Sequence, residues 1–138
     1  MRDPLARFHM RKKHRRAPSP FILFSLLGGA VAVAVVFGIA SALEVSSTYA
    51  WILAWLGGVN VAVVFLYGYD KTAARAEALR VPESVLHLYA LAGGTPAAFV
   101  AQRIFSHKTI KSRFQRTFWL ILVLQVIAIA AIVWIMRR

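Results

Sequence analysis

Apolar residues in this chain are grouped into long blocks, and the short segments between the blocks carry most of the charges. Three blocks, at about residues 21–43, 48–69 and 117–136, contain no Lys, Arg, Asp or Glu and are 20 or more residues long. An α-helix rises 1.5 Å per residue, so a block of this length crosses a hydrocarbon core about 30 Å thick. The pattern predicts an all-α integral membrane fold with three transmembrane helices.

The fourth apolar block, residues 84–105, decides the architecture. Its length is sufficient to cross, but Gly93, Gly94 and Pro96 at its centre favour a bend, because glycine permits positive φ and proline interrupts helical hydrogen bonding. If the block crosses, the 17 Lys and Arg residues divide 12 to 5 between the two sides of the membrane; if it bends and returns, they divide 15 to 2. Lys and Arg are enriched in cytoplasmic loops. We therefore predict a re-entrant helical hairpin, with a fourth transmembrane helix as the alternative.

Charge also predicts the orientation. Residues 1–20 contain seven Lys and Arg residues and predict a basic cytoplasmic tail, while residues 21–138 form a single membrane domain. By the same rule the N-terminus is expected in the cytoplasm, in a multi-pass protein of the inner (plasma) membrane. A net charge of +12 would suggest nucleic acid in a soluble protein. In a chain with 59% hydrophobic residues, cytoplasmic loops that face anionic lipid account for it, so no specific nucleic acid is expected.

Two side-chain amides lie within the predicted transmembrane helices. Asn60 is near the middle of the second helix and Gln125 is near the middle of the last one. A polar side chain in hydrocarbon requires a hydrogen-bond partner, and interhelical bonds of this kind contribute about 0.6–2 kcal/mol. We predict that the two amides pair with each other. The alternative is that they line a thin polar pore or substrate groove.

Two charged segments, residues 70–83 and 106–116, flank the hairpin and are expected to meet beside the inner leaflet. The two segments contain more Lys and Arg than Asp and Glu, so the cytoplasmic face that they form is expected to attract an anion such as a lipid phosphate. The alternative is that these cations only fix the orientation of the protein in the membrane. The candidate anion-binding residues are Lys71, Arg75, Arg80, His107, Lys108 and Lys111, with Asp70 and Glu83 as charge partners. The histidines and acids are too scattered to predict a metal site, and no cofactor motif is present. The chain contains no cysteine, which excludes disulfides and thiolate chemistry.

These features leave three hypotheses for function. The first is a membrane protein whose basic cytoplasmic face binds anionic headgroups or phosphate, with the anionic bilayer itself as its partner. The second is a structural or assembly subunit that binds another membrane protein or a second copy of itself, with pairs such as Asp70 with Arg80 and Glu83 with Lys108 joining the loops. The third is a lipid-modifying enzyme with His107 as the base. Because the sequence does not fix these groups within reach of one another, a non-enzymatic role is favoured.

A series of residues across the middle of the chain resembles the pattern of a known family. They are Asp70-Lys71, Ala74, Arg80-Val81-Pro82-Glu83, Leu86, Leu91-Ala92-Gly93-Gly94, Pro96, His107-Lys108-Thr109, Lys111 and Phe114. The pattern resembles domain of unknown function 1294, a family of small prokaryotic membrane proteins, and covers about residues 55–125. Some relatives carry a cold-shock nucleic-acid-binding domain before the membrane part, but the tail of this chain is too short for that fold. The resemblance therefore implies a membrane domain and no established activity.

Overall fold

The computed structural model of the protein describes residues 18–105 and 112–138, and all regular structure within these two ranges is helical. The helices are α1, Pro20–Ala42; α2, Thr48–Arg75; α3, Glu83–Tyr89; α4, Thr95–Phe105; and α5, Ser112–Met136, with a π-helical turn, Ala90–Gly94, between α3 and α4. By length and apolar composition, four segments of these ranges are able to cross a membrane: α1, α2, the stretch from α3 through α4, and α5. The predicted all-α integral membrane fold is confirmed.

The start of α1 and the end of α2 follow from local sequence. Ser19 is the N-cap of α1, and its hydroxyl accepts a hydrogen bond from the backbone N–H of Ile22 at 3.4 Å. Helix α2 continues to Arg75, six residues beyond the predicted end of the block. The polar residues directly after Asp70 therefore belong to α2 and not to a separate helix. The segment is rich in alanine, the strongest helix former, so α2 runs on into the polar region without a break.

Helices α1 and α2 pack side by side in opposite directions. The rings of Phe24 and Tyr69 lie 5.3 Å apart near the start of α1 and the end of α2, and those of Phe37 and Trp51 lie 6.5 Å apart near the other ends. Between these contacts the two backbones approach closely at Gly58, where a Cβ atom would lie 2.6 Å from the carbonyl oxygen of Ala32. Small residues allow membrane helices to make such close contacts.

Helix α3 runs back along α2 from the end of α2. At its start, the backbone N–H of Val81 donates to Oδ1 of Asp70 at 3.0 Å. Helix α3 and the π-helical turn form the first arm of the hairpin, and α4 forms the second. At the far end of the first arm, Gly93 lies so close to α2 that a Cβ atom at Gly93 would be 2.7 Å from the Leu56 side chain. Asp70 and Leu56 are separated by about 21 Å along α2, at 1.5 Å per residue.

Helix α4 then returns in the same direction as α2. Its first turn contacts the middle of α2, where the backbone N–H of Ala97 donates to Oδ1 of Asn60 at 2.9 Å. Its last residue, Phe105, lies under the ammonium group of Lys71, which is 5.5 Å from the ring centroid. Both ends of the segment therefore lie beside the same end of α2. This is the geometry that the hairpin interpretation predicts, whereas the four-span alternative rests on length and composition alone.

The chain reverses at Gly93, which has φ +114° and ψ 3°. An L-residue with a side chain rarely adopts this conformation, so glycine is needed at this position. Gly94 is needed for a different reason: a Cβ atom there would lie 2.5 Å from the side chain of Val63. Pro96, which has no backbone N–H, occupies the first turn of α4, where a helix leaves its N–H groups without intrahelical partners.

Helix α5 packs against the hairpin with its first half only. The ring of Phe114 stacks on His87 at 4.4 Å between centroids, and Trp119 meets Phe99 edge-on at 6.3 Å. From Val126 to the end of the chain every residue is exposed on the protein surface. We call the end of the bundle at which α1 and α5 begin and α2 and α4 end the basic end.

Candidate functional site

The bend of the hairpin interrupts the regular α-helical hydrogen bonding of the backbone at Ala90–Gly94. A helix that stops leaves its last four C=O groups unsatisfied, and hydrocarbon supplies no water to replace the missing bonds. The carbonyls at the bend are the four consecutive groups from Ala90 to Gly93, between α3 and α4. Their hydrogen bonding decides whether a non-helical turn is tolerated within the membrane.

Each of these four carbonyls accepts a hydrogen bond from a side chain. Gln125 Nε2 of α5 donates to the oxygens of Ala90 and Leu91, both at 3.0 Å. Trp55 Nε1 of α2 donates to the next carbonyl, at Ala92, at 3.3 Å, and the one after it, at Gly93, accepts from α2 as described below. The bend is therefore held from two sides, by α2 and by α5.

Asn60 bridges the two arms. Its Nδ2 donates to the carbonyl of Gly93 at 3.1 Å and to that of Leu56 at 2.7 Å, while its Oδ1 accepts from the N–H of Ala97. Ala97 lies in the first turn of α4, where N–H groups lack intrahelical acceptors. Asn60 thus caps α4 from a neighbouring helix, as an N-cap side chain does within one helix.

The predicted pairing of Asn60 with Gln125 is therefore wrong. Both N–H groups of each amide are used by backbone carbonyls, and Gln125 Oε1 lies 2.5 Å from the hydroxyl of Thr95. The two amides serve the same bend, one from each side. Sequence reasoning missed Thr95, whose buried hydroxyl is also 2.9 Å from the carbonyl of Ala90. It also missed the bond from Trp55, because the position of this residue towards the outer end of the second block predicts only a place in the aromatic belt of the membrane interface.

A second set of polar side chains surrounds Asp70 at the basic end. Its side chain is 1% exposed, and it accepts from the N–H of Val81 and lies 3.4 Å from an Arg80 guanidinium nitrogen, so the predicted charge partners Asp70 and Arg80 do meet. Arg80 keeps 49% of its side chain exposed. Glu83, the other predicted charge partner, is the first residue of α3, where a carboxylate interacts favourably with the positive helix terminus.

The other two predicted cations of the first charged segment, Lys71 and Arg75, differ in their surroundings. Lys71 is half-buried over the ring of Phe105, and Arg75 is exposed at the last position of α2. The predicted residues His107, Lys108 and Lys111 lie outside the described residues, so the predicted contact of Glu83 with Lys108 does as well.

A buried polar chain extends from α2 to the surface of α5, and sequence reasoning missed it. Gln102, 4% exposed, donates from Nε2 to the hydroxyl of Tyr67 at 3.3 Å and accepts at Oε1 from Gln115 Nε2 at 2.7 Å. Gln102 stands in an otherwise apolar block just as Asn60 and Gln125 do, and that was the signal available. The chain joins α2, α4 and α5 near the basic end.

Most of the described basic residues lie at one end of the bundle. Among residues 18–105 and 112–138, six of the eight Lys and Arg side chains belong to the basic end and the other two are the C-terminal pair. The six are Lys71, Arg75, Arg80, Arg103, Arg113 and Arg116. Three acids, Asp70, Glu77 and Glu83, belong to the same end. Within those two ranges, no three His, Asp or Glu side chains cluster as a metal site would require.

The comparisons with known proteins agree with the resemblance drawn from the sequence. Residues 60–114 match the family described as Protein of unknown function (DUF1294). No curated protein and no solved structure matches the chain. The matched segment contains Asn60, Asp70, the whole hairpin and the start of α5. It therefore includes the bend and the polar residues around Asp70. Over this segment the chain is similar to the DUF1294 family, whose function is unknown.

Proposed function

We propose that this integral membrane protein sits in the inner membrane with its basic end in the cytoplasm, and that this end binds the phosphate headgroups of anionic lipids. The observation that carries the proposal is the reversal of the chain at Gly93. It returns Phe105 to the level of Lys71, so the charged segments before and after the hairpin lie at one end of the bundle.

The charge balance at this end supports an anionic ligand. The six described cations exceed the three acids, and the buried Asp70 already has Arg80 beside it. Arg75, Arg113 and Arg116 are exposed. Each Lys or Arg close to an anionic leaflet contributes about 1 kcal/mol to its attraction. In the sequence, further cations precede α1 within residues 1–20, and Lys108 and Lys111 precede α5; both helices begin at this end.

The proposed topology is tested first, by cysteine labelling. The chain has no cysteine, so single replacements report one position each. A membrane-impermeant maleimide is expected to label Ser84→Cys and Ser106→Cys from the same, cytoplasmic side and Arg138→Cys from the other side. Ser84 and Ser106 labelled from opposite sides would establish four crossings and overturn the proposal, because the two charged segments would then be separated by the bilayer.

Headgroup binding is tested by titrating the detergent-solubilised protein with phosphatidylglycerol and, for comparison, phosphatidylcholine. Arg75→Gln with Arg116→Gln removes two exposed charges from the basic end. At about 1 kcal/mol for each charge, the affinity for phosphatidylglycerol is expected to fall by roughly 30-fold.

The matched control is Arg137→Gln with Arg138→Gln, which removes the same charge from the opposite end of the bundle. This variant is expected to keep the affinity of the unmodified protein. An equal fall in both double variants would mean that only net charge matters. Equal binding of the two lipids by the unmodified protein would refute headgroup recognition altogether.

A further inference from the structure

A groove of about 720 Å³ opens on the side of the bundle, next to the bend of the hairpin. One wall is α5, from Trp119 to Ile129, and the opposite wall is formed by Phe99 of α4 and Leu56 of α2. The groove exists because the hairpin stops partway along the bundle, so beyond the bend nothing in the described chain separates α2 from the exposed half of α5.

The position and lining of the groove indicate hydrocarbon as its content. The polar groups at its base, on Thr95 and Gln125, are already bonded to each other and to the bend. Water is retained in a cavity only where it finds two to four polar partners. From Trp119 to Ile129 the groove extends for about 15 Å along α5. That length equals one leaflet of a hydrocarbon core about 30 Å thick.

The volume favours a single chain over a protein helix. A helix 10–12 Å in diameter with a pitch of 5.4 Å fills roughly 400–600 Å³ in each turn. A groove of about 720 Å³ would enclose less than two turns. It lies within the range of about 300–1,000 Å³ that is usual for small-molecule sites.

Positive charge lies at the end of the groove nearest the basic end. The guanidinium group of Arg103 stacks on the ring of Phe99, a wall residue, at 4.3 Å from its centroid. Arg116 precedes Trp119, another wall residue, by about one helical turn towards the start of α5. A phosphate at this level would meet both cations while its acyl chain followed α5 into the groove.

We infer that the groove binds one acyl chain of an anionic phospholipid, whose phosphate lies between Arg103 and Arg116. The headgroup part of this inference rests on the proposed function, whereas the chain part rests on the groove alone. The protein therefore holds a lipid at a defined site, with one acyl chain buried along α5, in addition to attracting an anionic surface.

The experiment uses two forms of phosphatidylglycerol. Dioleoyl phosphatidylglycerol has chains that reach the groove, and dihexanoyl phosphatidylglycerol presents the same headgroup on chains too short to fill it. Ala128→Phe places a ring in the groove, and Ala131→Phe, about 200° around α5 from the wall residue Ile129, is the matched control. Ala128→Phe is expected to lower the affinity for the dioleoyl lipid about tenfold, because the ring replaces the chain's van der Waals contacts. Its affinity for the dihexanoyl lipid, and both affinities of Ala131→Phe, are expected to stay unchanged.

A second measurement locates the chain. Phosphatidylglycerol brominated on its acyl chain is expected to quench Trp119 fluorescence more than equally brominated phosphatidylcholine at the same low mole fraction. Trp119→Phe supplies the background from the other tryptophans. Ala128→Phe is expected to abolish this difference between the two lipids.

Each outcome separates the two proposals. Unchanged dioleoyl affinity in Ala128→Phe would overturn the groove site and leave headgroup binding intact. Equal quenching by the two brominated lipids would overturn the groove site as well. A dimer that Ala128→Phe dissociates would assign the groove to a second copy of the chain instead. If neither phosphatidylglycerol binds better than phosphatidylcholine to the unmodified protein, the proposed function fails together with the headgroup part of this inference, and the effect of Ala128→Phe on dioleoyl lipid binding still decides the acyl-chain part.

Discussion

Replacement of Asn60 by leucine gives the most direct test of how the bend is held. The amide makes two hydrogen bonds to the hairpin, with the carbonyl of Gly93 at 3.1 Å and the N–H of Ala97 at 2.9 Å. Leucine has a similar size but cannot form either bond. The third bond of the amide, to the carbonyl of Leu56, lies within α2 and does not hold the hairpin.

The expected loss of stability follows from these two bonds. Hydrogen bonds between membrane helices contribute about 0.6 kcal/mol on average and up to about 1.7 kcal/mol. Asn60→Leu is therefore expected to lower the free energy of unfolding by roughly 1–3 kcal/mol. The value is modest because a chain unfolded within a membrane also finds partners for its polar groups.

The assay is reversible unfolding in mixed micelles by sodium dodecyl sulfate, followed by far-ultraviolet circular dichroism. Val64→Leu, one turn further along α2 on an exposed face, is the control and is expected to unfold like the original protein. A change in Asn60→Leu below about 0.3 kcal/mol, the usual scatter between independent sites, would refute the assignment of Asn60 as a cap for the hairpin.

The remaining predictions use the same assay. Gly58→Ala is expected to destabilise the bundle by about 1–3 kcal/mol, because its Cβ would lie 2.6 Å from the carbonyl oxygen of Ala32, whereas Gly38→Ala, with no atom within 4 Å of its Cβ, is expected to be neutral or stabilising by up to about 1 kcal/mol. A loss of stability in both glycine variants would contradict close packing as the cause. Asp70→Leu removes the acceptor of the buried bond from Val81 and is expected to cost about 1–3 kcal/mol. Asp70→Asn keeps an acceptor and removes the charge from a partly exposed ion pair, so it is expected to cost less than about 1 kcal/mol. Equal effects of the two variants would show that the charge of Asp70 matters more than its bond to the backbone.

The overall architecture was predictable because its signals are local. A block without charges can only be buried or surrounded by lipid, and two glycines followed by a proline interrupt a helix wherever they stand. The reversal at Gly93 is such a case, since its φ of +114° is a property of that single residue. The end of α2 was misjudged because the change from apolar to polar residues was taken as the end of the helix, although Ala73 and Ala74 continue it.

The partners of the amides were less predictable because they depend on tertiary structure. Composition shows that Asn60 and Gln125 need partners, but it does not distinguish another side chain from a freed backbone group. The predicted break at Gly93 did imply freed carbonyls, so both facts were present in the sequence and only their connection was missing. Gln102 was overlooked because it is close in sequence to the charged segment 106–116. By sequence alone that position lies near the membrane surface, whereas the structure buries Gln102 in the core.

The length of the hairpin gives the molecule a tapered shape. Among the helices of residues 18–105 and 112–138, five segments lie side by side at the level of the basic end, whereas beyond the bend only α1, α2 and α5 continue. With each helix about 10 Å across, the two leaflets would differ by roughly 160 Å² in the area that the protein occupies. Insertion therefore displaces more lipid from one monolayer than from the other. Many copies in one patch of membrane would favour bending in which the leaflet that holds the hairpin lies on the convex side.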